Sequence, residues 1–340
     1  MPEDGVSVII ATLNGGAHVG AALASIRVQT RQPDEVIVVD VGSTDDTIEQ
    51  LTHIANRYPR LRILEVHERL TAPQARNLAL AEVSSHFVAT LDQDDLMAPD
   101  RLAVQLAGLA ANPGAVAIAS RLVSVDFTGA PQRRGTTADR TPHGAPTSRE
   151  QFRWALTRYS PAVSSGLAYR TGRLRSLGGF DEQHPLTDDY ALLARLIDQG
   201  TAEADDTVVG SYRRHEAMTS VLEQRSLFHQ TRLLQWRLIH ERLGSRPALT
   251  TVNALVRPDQ PCDIDDLYQA RALWCALYDE TRERPKLSDA DRTWILADFS
   301  QLLGRFDHRL SATETTPATN PHTSPREPLP DIDPGQAVGG

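Results

Sequence analysis

Four apolar runs in the first ninety residues constrain this chain more than any other feature. They are VSVIIA (6–11), EVIVVD (35–40), RLRILEVHE (60–68) and HFVATL (86–91). The first two are continuous and rich in β-branched residues, as expected of strands buried on both faces. Helix-forming stretches separate them. After TLNGGAHVG the segment AALASIRVQT spaces Ala22, Ile26 and Gln29 along one face. In GSTDDTIEQL, Ser43 and Asp46 have the spacing of a capping box, and APQARNLALAEV follows the third run. Strand alternating with helix predicts an α/β fold: a mostly parallel sheet flanked by helices on both faces. Such sheets bind ligands at the carboxyl ends of their strands, where Asp40 and Asp92 fall.

Composition excludes several classes. A net charge of -9 argues against a nucleic-acid partner. No apolar run approaches the ~20 residues of a membrane span. The acidic start MPEDGVSVII lacks the basic region of a signal peptide. Cys262 and Cys275 match neither a disulfide framework nor a zinc pattern. The expectation is a cytoplasmic protein without a transmembrane segment.

The stretch LDQDDLMAPDRL places Asp92, Asp94 and Asp95 within four residues. Carboxylates so close repel one another unless a cation or donors hold them. A helix–loop–helix calcium site fails, because the sixth position counted from Asp92 is Met97 rather than glycine. A dinucleotide fingerprint fits poorly: Gly15, Gly16 and Gly20 are spaced G-G-x-x-x-G, and the later carboxylates stay unexplained. The third reading is an Asp-x-Asp clamp, in which Asp92 and Asp94 hold Mg²⁺ or Mn²⁺ against a nucleoside diphosphate. A bare acidic turn, with Asp95 or Asp100 capping the next helix, is the structural alternative.

The surroundings favour the clamp. VSVIIATLNGG, EVIVVDVGSTDDT, ARNLAL, LDQDDLMAPDRL, GGFDE and TDDYALLARL occur in the order seen in family 2 glycosyltransferases, and the chain resembles that family over roughly residues 5–215. The resemblance implies the GT-A fold, a nucleotide-sugar donor, Mn²⁺ or Mg²⁺ as cofactor, and transfer with inversion. It implies metal ligation by Asp94 and Asp92, with His215 in SYRRHEAMTS on a loop that closes over the diphosphate. It places Arg76 beside the diphosphate, makes Asp189 the catalytic base, and sets Asp188 next to it. The donor side would comprise Ala11, Leu13, Asn14, Asp40, Val41, Arg76 and Gln93.

Two departures bear on the donor. Ala-Thr-Leu-Asn (11–14) stands where relatives have Pro-Thr-Tyr-Asn, which removes an aromatic stacking surface. Val41 replaces an aspartate that would accept the N3 hydrogen of uracil, so the expected donor is a UDP- or dTDP-sugar chosen without that contact. The acceptor class stays open, and VSSGLAYR (163–170) is expected to be a strand whose Ser164, Ser165 and Gly166 line the acceptor region. A sugar-phosphate nucleotidyltransferase and a non-catalytic nucleotide- or sugar-binding module are the alternatives.

The expected organisation is a transferase domain over 1–220, a helical C-terminal appendage over 221–310 and a disordered Pro-rich tail over 311–340. Residues 126–150 read as a mobile loop near the acceptor. Three segments beyond 221, opening at VLEQRSLF, IDDLYQAR and SDADRTWI, have apolar residues three or four apart. Such an appendage would bind the acceptor, cover the sheet edge or join two copies in a homodimer.

Overall fold

The computed structural model describes residues 4–132, 146–199 and 202–314. Strands β1 (Val6–Thr12), β2 (Glu35–Asp40), β3 (Leu61–Glu65) and β4 (Phe87–Thr90) form the parallel half of the sheet, in the order β3-β2-β1-β4. Their side chains divide with period two. Ile9, Ile37 and Val39 enter the apolar layer on one face, whereas Val8, Ile10, Val36 and Val38 enter the other. Coverage of both faces suits the nearly continuous apolar runs of β1 and β2, whereas the edge strand β3 leaves Arg62 exposed. Thr12 lies opposite Asp40, so the β1 and β2 ends open at the same level.

Helices α1 (Val19–Arg27) and α2 (Thr47–Ala55) cover one face, and α3 (Ala72–Glu82) covers the other. The box expected at Ser43 and Asp46 does not form. The Ser43 hydroxyl donates to Asp40 instead, and α2 starts later, at Thr47. A capping box does open α3: Thr71 N–H donates to Gln74 Oε1 at 2.9 Å, and Pro73 fits the first turn.

The second half adds β5 (Leu96–Met97), α4 (Arg101–Ala111), β6 (Ala117–Val125), α5 (Arg149–Ala155), β7 (Leu167–Arg170), α6 (Thr171–Ser176), α7 (Asp188–Asp198) and β8 (Ala202–Arg213). β7 runs antiparallel between β4 and β6, and β8 is parallel to β6 with β5 antiparallel beyond it. The sheet is therefore mixed, mostly parallel on its first side, and eight-stranded among the described residues. The strand expected from 163 begins only at Leu167, because Ser164–Gly166 form a 3₁₀ turn. Of the loop expected over 126–150, residues 133–145 lie outside the described residues.

Beyond β8 come α8 (Thr219–Leu222), α9 (Gln224–Leu243), α10 (Leu249–Val256), α11 (Ile264–Arg282) and α12 (Asp289–Glu314). α10 had no counterpart among the periodic segments, and α12 extends past the expected boundary at 310; residues 315–340 lie outside the described residues. Helices α9 to α12 share an apolar cluster with α5, whose Trp154 is fully buried 4.2 Å from the ring of Trp274. Trp154 Nε1 donates to Asp298 at 2.7 Å, and Arg158 pairs with the same carboxylate. Truncating such a tryptophan typically costs about 3–5 kcal/mol. No helix among the described residues is long and apolar enough to cross a membrane.

Candidate active site

The four residues that leave β4 take four directions. Asp92 N–H donates to Ser165 Oγ at 2.9 Å, and Asp92 Oδ1 receives Arg76 Nη2 at 2.7 Å. Gln93 turns back to β1, where its Oε1 accepts from the Thr12 hydroxyl at 2.6 Å and Leu13 N–H at 3.0 Å. Asp94 Oδ2 faces His215 Nε2 at 2.9 Å. Asp95 points inward, fully buried, and accepts from Arg213 N–H at 2.9 Å. Burial raises the pKa of Asp94, and so does the charge of Asp92. For Asp95 the same two causes, with Asp94 added, push it well above the carboxylate range.

Arg76 ties this loop to the head of α7. Its Nη1 donates to Asp188 Oδ2 at 2.6 Å while Nη2 holds Asp92, and the side chain is buried. Burial works to lower the Arg76 pKa, but Asp188 and Asp92 outweigh it and keep the guanidinium charged. Family resemblance puts Arg76 on a diphosphate. In the structure both terminal nitrogens are engaged by carboxylates, so Arg76 serves first as the link between the two acidic segments.

Asp188 is buried, whereas the adjacent Asp189 is partly exposed. Asp189 accepts from Ser164 N–H at 3.0 Å and Tyr190 N–H at 2.7 Å. Burial, then the neighbouring charge of Asp188, push its pKa up to about 7. A carboxylate poised there can accept a proton near neutrality and return it. Both residues lie in the first turn of α7, where the helix dipole favours carboxylates, and neither is its N-cap.

The serines expected at the acceptor surface are corrected by their burial. Ser164, Ser165 and Gly166 all lie beneath the site. Ser165 holds Asp92, the Ser164 backbone holds Asp189, and Gly166 is packed so closely that a Cβ would meet Ser120 O at 2.5 Å. They support the carboxylates from behind.

The donor-side residues divide. Asn14 adopts a left-handed backbone with φ 50, and its Oδ1 accepts Thr44 N–H at 2.8 Å. Asp40 is buried and takes hydrogen bonds from Gly42 N–H at 3.1 Å, Ser43 N–H at 2.9 Å and the Ser43 hydroxyl. That carboxylate organises its own turn rather than facing outward. Val41 is 5% exposed and joins the apolar layer, with Ala11 and Leu13 partly buried against it.

Three residues of this neighbourhood carried no readable signal. Arg213 Nε donates to Asp94 O at 3.0 Å. Arg101 is fully buried, its Nη2 donating to Thr90 O at 2.7 Å, and burial lowers its pKa to about 10. His18 lies with its ring centroid 4.6 Å from that of His215, and burial, then His215, hold its pKa below the usual value. In a chain whose basic residues are nearly all arginine, neither Arg stands out by sequence.

A parallel sheet joined to an antiparallel extension, with carboxylates gathered at its strand ends, is the GT-A fold. Residues 7–173 match the model described as glycosyl transferase family 2, and the chain belongs to that family. An uncharacterized glycosyltransferase of Rickettsia felis is 37% identical over 102 residues, 30% of this chain and 16% of that one. Curated relatives at 30–37% identity are matched over only 16–40% of their own length. The S. aureus TarS 1–349 structure in complex with UDP-GlcNAc superposes with a TM-score of 0.56 at 17% identity, covering 91% of this chain and 92% of that one. The mannosyltransferase PcManGT of Pyrobaculum calidifontis, in complex with GDP-Man and Mn²⁺, gives 0.52 at 21% identity, covering 91% and 87%.

Proposed function

We propose that this protein transfers a sugar from a nucleoside-diphosphate sugar to an acceptor hydroxyl, with inversion at the anomeric carbon and with a divalent cation. The observation that carries this is the Arg76 bridge. It ties the loop that carries Asp94, two positions from Asp92, to the head of the helix that carries Asp189, next to Asp188. A metal-side carboxylate and a carboxylate with a pKa near 7 are the two groups such a transfer needs.

Asp94 and His215 are the residues that would hold the cation. Among the described residues no group of three or more His, Cys, Asp or Glu is arranged around one ion. One carboxylate and one imidazole nonetheless fit an ion that completes its shell with diphosphate oxygens and water. When bound, the cation supplies Lewis-acid stabilisation of the charge that grows on the leaving diphosphate. Asp189 takes the proton from the attacking hydroxyl. Asp188, neutralised by Arg76, stays fixed and keeps the head of α7 in place. Ser164 N–H holds one oxygen of Asp189 at 3.0 Å.

The donor is proposed to be a UDP- or dTDP-sugar; the UDP-GlcNAc complex of TarS supports a uridine donor, and Val41 supports loose choice at N3. Residues 1–220 are proposed as the transferase unit and the later helices as a buttress, supported by the burial of Trp154 among them. The test is to incubate the protein with a panel of nucleotide sugars and Mn²⁺, with and without chelator, and to separate the products by chromatography. Release of a nucleoside diphosphate that chelator abolishes is expected. Pyrophosphate release would indicate a nucleotidyltransferase, and binding without turnover a non-catalytic module.

A further inference from the structure

His215 follows the end of β8 on a stretch with few ties. Arg214 N–H reaches Val125 O at 2.9 Å, and Met218 N–H makes a long 3.4 Å contact back to His215 O. Those backbone bonds leave the direction of the imidazole unset. One ring face is instead covered by His18, with centroids 4.6 Å apart and planes inclined by 38°. The His215 and Asp94 side chains are 13% and 17% exposed, so this contact lies at the site rather than in open solvent.

His18 is presented by a firmly held turn. It precedes α1 but makes no side-chain capping bond, which leaves its ring available for packing. His18 N–H donates to Gly15 O at 2.9 Å, and His18 O accepts from Ala21 and Ala22. Gly16 N–H is held by Asp45 at 3.1 Å and Asn14 N–H by Ser43 at 2.8 Å. The turn is also fastened to the acidic loop itself, through Gln93 and Leu13. A Cβ on Gly15 would lie 2.5 Å from Gln93 Oε1, so a larger residue there would push that amide aside. The contacts close a circuit: Asp94 to Gln93 by the chain, Gln93 to the β1–α1 turn, His18 to His215, and His215 back to Asp94.

We infer that His18 is a positioning residue for His215. Its ring fixes the imidazole so that Nε2 stays on Asp94, at the place where the cation would be held. This rests on the reading of Asp94 and His215 as the metal pair. Groups that orient a metal-binding histidine are commonly worth 10–100-fold in metal affinity.

The test is titration of Mn²⁺ into the full-length chain with UDP present, with free Mn²⁺ read by electron paramagnetic resonance. His18→Ala is expected to weaken Mn²⁺ binding by about tenfold. His18→Phe, which keeps a ring against His215 but has no nitrogen, is expected to restore most of that affinity. In turnover assays His18→Ala should raise the Mn²⁺ concentration needed for half-maximal rate while leaving kcat at saturating Mn²⁺ nearly unchanged. Unchanged binding in His18→Ala, with His215→Ala and Asp94→Ala both weakened, overturns the inference and leaves the metal-pair reading intact. Equal weakening in His18→Ala and His18→Phe overturns it as well, because His18 would then act through a nitrogen. If His215→Ala and Asp94→Ala bind Mn²⁺ as the parent does, the metal-pair reading fails and the inference with it.

Discussion

Two acidic segments face each other across Arg76, and they divide in the same manner. In the loop after β4, Asp92 is bound by Arg76, while Asp94 turns to His215. At the head of α7, Asp188 is bound by Arg76, while Asp189 is held by the backbone N–H groups of Ser164 and Tyr190. Each segment thus gives one carboxylate to Arg76 and leaves another clear of it. They differ in how the free carboxylate is set. Asp94 has an imidazole partner and lies on a loop, suited to a ligand that comes and goes. Asp189 lies on a helix, its pKa pushed up to about 7 by burial and by Asp188, suited to moving a proton. Identical side chains one or two positions apart acquire different chemistry from their neighbours alone.

The sharpest way to break this comparison is to exchange the free carboxylate on the helix. Asp189→Asn should lower kcat by on the order of 10²–10⁴-fold, with donor affinity by calorimetry almost unchanged. Full activity in that variant would remove Asp189 from the chemistry. Asp94→Ala should instead abolish the chelator-sensitive part of donor binding and lower kcat/KM by roughly 10²–10³-fold. If the two variants behaved alike, the division between loop and helix would be wrong.

The link itself can be tested through stability. Arg76→Leu leaves Asp188 buried without its cation, and should destabilise the fold by about 3–5 kcal/mol in urea denaturation. The double replacement of Arg76 and Asp188 by leucine should recover part of that loss. Equal loss in the single and double variants would mean that Asp92 alone depends on Arg76.

The pH profile gives a smaller effect of definite sign. A base must be deprotonated, so kcat should climb up to tenfold per pH unit below about 7 and level off above it. Stability moves the other way. Because the folded-state pKa is raised, the contribution of Asp189 is complete below its ordinary carboxylate value and is lost as pH rises through about 7. Thermal melts of Asp189→Asn should lack that part of the decline. The smallest effect is expected at Val41, where Val41→Asp puts a carboxylate into an apolar layer. If Val41 borders the nucleobase, the variant should bind UDP more tightly relative to dTDP; if it does not, the variant should only lose stability.

Local sequence determined the parallel half of this protein. VSVIIA and EVIVVD are strands because β-branched runs without polar alternation tolerate only a sheet covered on both faces, and the turns after them belong at its open edge. That placed Asp40, Asp92 and Asp94 at one mouth. Helix starts were less legible. Ser43 satisfies Asp40 instead of capping α2, since a hydroxyl takes whichever acceptor the turn brings nearest. The tertiary structure alone decided the partners. Asp188 lies 112 residues from Arg76, His215 121 residues from Asp94, and Trp154 144 residues from Asp298. Nothing in a single sequence ranks one buried arginine or histidine above another, because the energy of a buried charge depends on which opposite charge the fold delivers to it. Ser164 and Ser165 show the same limit from the other side. Their sequence reads as a strand lining the acceptor region, and in the structure they form a buried 3₁₀ turn that supports two carboxylates.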